Sequence, residues 1–199
     1  MKVGKNTKLP EQIMRYLKYI LVAVLVGAIF AACTARTNSE NKNNMKGIII
    51  YFSHTGNTAS AAKQLAKQLD IKAVRLHAAQ EYTSADVDWE NEQSRCTQEY
   101  KHPEIRPAIK PVDVNFSDYD TVFVGFPIWW YKEPNIIRTF FDTYAKELQG
   151  KTIYPFCTSY ESPITDADAS LKKLYPNLDI KKGLRFPATA EEITKWINQ

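Results

Sequence analysis

Cysteine is scarce in this chain of 199 residues, with three in all, at positions 33, 96 and 157. Cys96 and Cys157 lie far apart, and neither has a histidine or second cysteine at metal-ligand spacing. A disulfide framework and a thiolate metal site are therefore not indicated, and both read as structural thiols. Histidine is as sparse: His54, His77 and His102 have no partner suggested by spacing. The apolar run from Ile20 to Ala32 is shorter than the roughly 20 residues that a membrane-spanning helix needs. There is no internal repeat. An excess of one charge is also missing once its location is read. Residues 1–32 hold Lys2, Lys5, Lys8, Arg15 and Lys18 against Glu11, and taking these from the 26 basic and 22 acidic residues leaves 21 of each. The body of the chain thus offers no electrostatic case for binding nucleic acid. Its length suits one well-buried domain and is short for two.

What is present begins with the three-part form of an export signal: a basic stretch, the apolar run, then Cys33 after two small residues. Ile29-Phe30-Ala31-Ala32-Cys33 resembles a bacterial lipobox, with Phe30 where an aliphatic residue is usual. That resemblance implies cleavage before Cys33, lipidation of Cys33 and a place on the outer side of a bacterial membrane. The alternative is an uncleaved anchor with an incidental cysteine. Residues 33–45 form a disordered tether by composition, since Thr34 to Asn44 are too polar to bury a core. A translation start at Met45 would instead give a cytoplasmic product.

From residue 46 the pattern alternates. Gly47 to Phe52 is a strand buried on both faces, followed by the turn Ser53 to Thr58 and a helix with Ala59, Ala62, Leu65, Ala66 and Leu69 on one side. Ile71 to Leu76 suits an edge strand and Thr121 to Phe126 a second buried one. A helix follows with Pro134 at its first position, Ile136, Ile137, Phe140, Phe141, Tyr144 and Leu148 on one face, and Gly150 at its close. Lys151 to Cys157 reads as a strand although Pro155 removes a ladder donor. Asp166 to Leu174 reads as a helix and Ile180 to Phe186 as the last strand. Thr189 to Glu192 is a capping box for a helix facing inward through Ile193, Trp196 and Ile197. Such alternation predicts an α/β fold with a parallel sheet covered on both sides. Ala78 to Tyr119 is expected to form a partly helical excursion near the ligand-binding edge, carrying Tyr82, Trp89, Arg95 and Arg106.

Chemistry first shows in the turn after the first strand. Ser53, Thr55 and Thr58 supply hydroxyls, Gly56 frees the backbone, and a helix starts there, so converging N–H groups and the helix dipole favour a phosphate. No lysine of the nucleotide-hydrolysing kind is present. Ser53-His54-Thr55-Gly56-Asn57-Thr58 resembles the phosphate loop of the flavodoxin family. Arg106-Pro107-Ala108-Ile109 and Pro127-Ile128-Trp129-Trp130 resemble further motifs of a bacterial flavodoxin subfamily. The resemblance covers residues 46–199. It implies a flavodoxin-like three-layer sandwich around a five-stranded parallel sheet of order 2-1-3-4-5, with FMN at the carboxyl ends of the strands. It also implies electron transfer with redox partner proteins; an FMN-dependent NAD(P)H:quinone-type reductase and a tethered module without cofactor are the alternatives.

The cofactor residues implied are Ser53, His54, Thr55, Gly56, Asn57 and Thr58 at the phosphate. Pro127, Ile128, Trp129, Trp130 and Tyr131 follow in the second loop, and Thr158, Ser159, Tyr160 and Glu161 in the third. Adjacent side chains cannot both face one ring, so one tryptophan is expected on the flavin and the other in the core. His54 is expected to face solvent beside the phosphate. In the third loop the family carries a pair of glycines where this chain has Tyr160-Glu161, followed by Ser162-Pro163. Side chains there are expected to narrow the site, and Glu161 would oppose negative charge on a reduced flavin.

Overall fold

A computed structural model describes residues 45–199; the export segment, Cys33 and the tether up to residue 44 lie outside the described residues. Met45, assigned to the tether by composition, belongs to the folded unit, where it packs on the core and its carbonyl accepts from Gly47 N–H.

Parallel strands β1 (Gly47–Tyr51), β2 (Lys72–Arg75), β3 (Thr121–Pro127), β4 (Thr152–Thr158) and β5 (Asp179–Ile180) run in the order β2-β1-β3-β4-β5. A further short strand, β6 (Leu184–Phe186), also pairs with β4. Helices α1 (Asn57–Leu69), α2 (Arg95–Lys101), α3 (Asn135–Thr143), α4 (Thr165–Leu174) and α5 (Ala190–Ile197) fill the connections. Alternate residues of each strand face opposite ways. Ile48, Ile50, Val122 and Val124 therefore meet α3 and α4 through Ile137, Phe140 and Leu171. Ile49, Phe123 and Phe156 meet α1 and α5 through Leu65 and Ile193 on the other side. The result is the three-layer sandwich with strand order 2-1-3-4-5.

The fifth strand is not the continuous run that Ile180 to Phe186 suggests. Ile153 pairs with Ile180, but Phe156 pairs with Leu184, so one extra residue bulges out between β5 and β6. Pro155 lies opposite the break. Lys181 N–H donates to Ile153 O at 2.8 Å, and the same side of β4 at Pro155 has no N–H to offer. Gly183, inside the bulge, donates its N–H instead to Asp168 Oδ2 at 2.7 Å. A Cβ there would meet Ile164 Cδ1 at 2.5 Å and Asp168 Oδ1 at 2.6 Å.

Burial pushes the Asp168 carboxyl above its ordinary range, with the Gly183 N–H pulling the other way. A raised folded-state pKa contributes stability that is complete below the unfolded value of about 4 and is lost as pH rises through the folded one. Asp168→Ala is expected to cost about 1–3 kcal/mol by orphaning the Gly183 N–H. Asp168→Asn keeps an acceptor, and its stability relative to wild type is expected to improve as pH rises from 4 to 7. Urea unfolding at several pH values measures both; a wild-type-minus-Asn difference that is flat with pH would refute the titration.

Pro134 is the residue before α3 rather than its first helical residue, with φ −61° and an extended ψ of 148°. The α3 helix ends at Thr143, and Tyr144 and Leu148 continue its apolar face through turns, each donating its N–H four residues back. Gly150 closes the segment at φ 73°. The excursion from Ala78 is pinned at its base by an antiparallel bridge between Ala78 and Ile109. Within it, α2 is capped by Ser94 Oγ, which accepts from Thr97 N–H.

Candidate functional site

Three loops meet at the carboxyl ends of β1, β3 and β4. In the first, Ser53 is buried, its Oγ accepts from Gly56 N–H at 3.2 Å, and its carbonyl accepts from Arg75 Nη2 at 2.7 Å. Gly56 stands at φ 95°, a left-handed conformation that glycine adopts without strain, and no atom lies within 4 Å of where its Cβ would be. It precedes α1 without capping it by a side chain, so the first N–H groups of that helix are open. Thr55 and Asn57 are exposed at this end and His54 is half-buried. Thr58 is buried, its hydroxyl 2.8 Å from that of Thr158, which fastens the first loop to the third. Thr55, Asn57, Pro127, Thr158, Ser159 and Tyr160 line one cavity of about 420 Å³, with Ser60 and Gln64 of α1 along its side.

In the second loop, Ile128 N–H donates to Thr158 O at 3.0 Å. Trp129 and Lys132 exchange both backbone hydrogen bonds across a two-residue turn, leaving Trp130 at φ 43° and Tyr131 at φ 66°. Bulky side chains in that region carry about 1–2 kcal/mol of strain each. Trp129 turns its ring inward, edge-on to Phe52 at 5.8 Å and to Tyr82 at 5.5 Å, while Trp130 stacks on Tyr100 at 5.0 Å. Neither ring is among the residues that line the cavity holding Thr55 and Thr158, which this loop reaches through Pro127. In the third loop Ser159 Oγ donates to Ser162 O, folding the segment on itself. Tyr160, 94% exposed, is among the residues lining that cavity, and Glu161, also exposed, is not.

A glycine-opened helix end, an aromatic second loop and a third loop joined at the ends of a 2-1-3-4-5 sheet coincide with a family-wide comparison: the flavodoxin family model matches residues 46–199. The chain belongs to the flavodoxin family. A crystal structure of a candidate flavoprotein from Bacteroides eggerthii is 43% identical, with a TM-score of 0.74 over 78% of this flavodoxin and 97% of that chain. Another from Bacteroides uniformis is 37% identical, with a TM-score of 0.70 over 78% and 99%. A flavoprotein of Lactobacillus acidophilus, solved in complex with FMN, shares the fold at a TM-score of 0.64 and 18% identity, over 77% and 99%. No curated protein matches the chain.

The excursion gives this flavodoxin a buried polar network that the sequence only hinted at through Tyr82 and Arg95. Tyr82 O–H donates to Glu99 at 2.9–3.0 Å, Arg95 Nε donates to Glu99 Oε1 at 2.8 Å, and the guanidinium lies 3.8 Å over the Tyr82 ring. Burial, then the charge of Glu99, raise the Tyr82 phenol, and burial raises the Glu99 carboxyl. The i,i+4 spacing of Arg95 and Glu99 was the available signal. Cys96 and Cys157 are free and buried, and burial pushes the Cys157 thiol up to about 12, as suits a structural role. Among the described residues no group of three His, Cys, Asp or Glu side chains is placed to hold a metal. No helix there is long and apolar enough to cross a membrane.

Proposed function

We propose that this flavodoxin-family chain binds FMN and carries electrons between partner proteins, held at the outer side of a bacterial membrane by a lipid on Cys33. The observation that carries the reading is the uncapped start of α1 at Gly56, opening onto the cavity that also gathers Pro127, Thr158 and Ser159. A phosphate fits there because it accepts from several N–H groups at once and meets the positive end of the helix. The hydroxyls of Thr55 and Ser159 and the backbone of the third loop lie along the same cavity, within reach of a polyol and a ring edge. FMN, when bound, supplies one- and two-electron chemistry; the chain's part is to seat it, orient it and set the charge around it. Glu161, exposed in the third loop, and Lys132, exposed in the second, are the charged groups nearest in sequence to the two walls.

The basic stretch, apolar run and Cys33 support the tether, and the family supports the flavin. One experiment addresses both: isolate the full chain from its native membrane and measure flavin and lipid. About one FMN per chain is expected, together with a lipid-modified Cys33 at the mature N-terminus. A flavin-free protein that also fails to take up added FMN would overturn the cofactor reading. Steady oxidation of NAD(P)H by the loaded protein alone would overturn the carrier reading in favour of a reductase.

A further inference from the structure

Arg75, the last residue of β2, stands in register with Tyr51 of β1, and Leu76 N–H, one residue on, donates to Tyr51 O at 2.7 Å. On the other side of β1, Phe52 N–H donates to Gly125 O at 2.9 Å. Ser53 lies past the end of this ladder, and as a buried residue its carbonyl needs a donor from elsewhere. Arg75 supplies it, Nη2 donating to Ser53 O at 2.7 Å. A neutral donor would satisfy that carbonyl as well, so the guanidinium brings more than the bond requires. Arg75 is exposed, its other N–H groups have no partner among the described residues, and it makes no ion pair there. An unmatched positive charge is thus held against the turn that opens at the start of α1.

We propose that Arg75 is the positioning residue of this turn and the source of its preference for a phosphate-bearing flavin. The inference rests on the cofactor reading above. Two effects carry it. The peptide from Ser53 to His54 is planar and trans, so its N–H points opposite to its carbonyl. Holding the carbonyl toward Arg75 therefore fixes the His54 N–H on the far side, where it has no partner among the described residues and is free to donate to a ligand. The second effect is charge. A phosphate monoester carries about −1.5 to −2 near neutral pH and riboflavin carries none, so a cation fixed at the turn favours FMN alone.

The test is calorimetric titration of the full chain with FMN and with riboflavin at about 0.1 M and about 1 M salt, between which the screening length falls from about 10 Å to about 3 Å. Wild type is expected to lose FMN affinity about fivefold over that range and to hold its riboflavin affinity. Arg75→Met is expected to weaken FMN about tenfold at the lower salt, to leave riboflavin within about twofold, and to lose most of the salt dependence. Arg75→Lys keeps the charge but not the fork, so it is expected to keep the salt dependence and recover part of the affinity. If the Met variant does not fold, the Lys variant decides, with FMN weakened and riboflavin unchanged. Inorganic phosphate gives a readout that needs no flavin: the ¹H–¹⁵N signals of His54 and Asn57 are expected to shift saturably in wild type and about tenfold more weakly in Arg75→Met. Equal losses for FMN and riboflavin, or FMN affinity and phosphate response both unchanged in Arg75→Met, would overturn the role of Arg75 while leaving the cofactor reading in place. A wild type whose His54 and Asn57 signals answer phosphate but which takes up no FMN would overturn the cofactor reading instead.

Discussion

Arg138→Met is expected to destabilise the domain by about 3–5 kcal/mol, the cost of leaving a buried carboxylate without its counter-charge. The pair is enclosed, with side-chain exposures of 7% for Arg138 and 0% for Glu133, and an Nε–Oε1 distance of 2.8 Å. Removing the guanidinium leaves Glu133 with only the Ser170 hydroxyl, and its second oxygen is already unpartnered. The same guanidinium donates to Pro103 O at 3.2 Å, so the excursion loses an anchor to α3 as well. Arg138→Lys is expected to recover little, because one ammonium cannot reach Glu133, Pro103 and Ser170 together. Arg138→Met combined with Glu133→Leu is expected to regain most of the loss, since no unpaired charge then remains inside. Urea unfolding of the three variants decides it. A single-variant loss below about 1 kcal/mol, or a double variant no better than the single, would show that the charge is solvated in the folded state.

Legibility followed the range over which each feature is determined. The strands β1 and β3 read directly from Gly47–Phe52 and Thr121–Phe126, because burial on both faces forces unbroken apolar runs. The capping box at Thr189 and Glu192 is equally local and has the reciprocal hydrogen bonds expected of it. Between Ile180 and Phe186 only Gly183 signals the break in the fifth strand; the rest of the cause is Pro155 on the neighbouring strand and Asp168 on a helix. The excursion lacked periodicity for a similar reason: Tyr82 and Glu99 order it across 17 residues, and Ala78 with Ile109 closes it. At the site, the tight turn from Ser53 into the helix that starts at Asn57 was readable from six consecutive residues. The Thr58–Thr158 contact spans 100 positions, and the left-handed pair Trp130–Tyr131 runs against the preference of both side chains. Those two features need the fold before they can be seen.

Thr55→Ala is expected to weaken FMN binding tenfold to a hundredfold while changing riboflavin affinity less than threefold. Thr55 is exposed at the uncapped end of α1, and its hydroxyl has no partner among the described residues, so it is available to a ligand oxygen. A hydrogen bond to a phosphate dianion contributes about 1.5–3 kcal/mol, which sets the fold-change. Riboflavin lacks the phosphate and would not register the loss. Thr58 predicts a different pattern although it belongs to the same turn. Its hydroxyl is buried and already engaged at 2.8 Å with Thr158, in the third loop. Thr58→Ala is therefore expected to loosen the third loop and to weaken both ligands by similar factors, with a drop in stability of about 1 kcal/mol. Calorimetric titration of both variants with both ligands separates the two roles. If Thr55→Ala lowers FMN and riboflavin affinity equally, the phosphate sits elsewhere; if Thr58→Ala spares riboflavin, its hydroxyl leaves Thr158 to hold the phosphate, and the link between the two loops does not persist in the bound state.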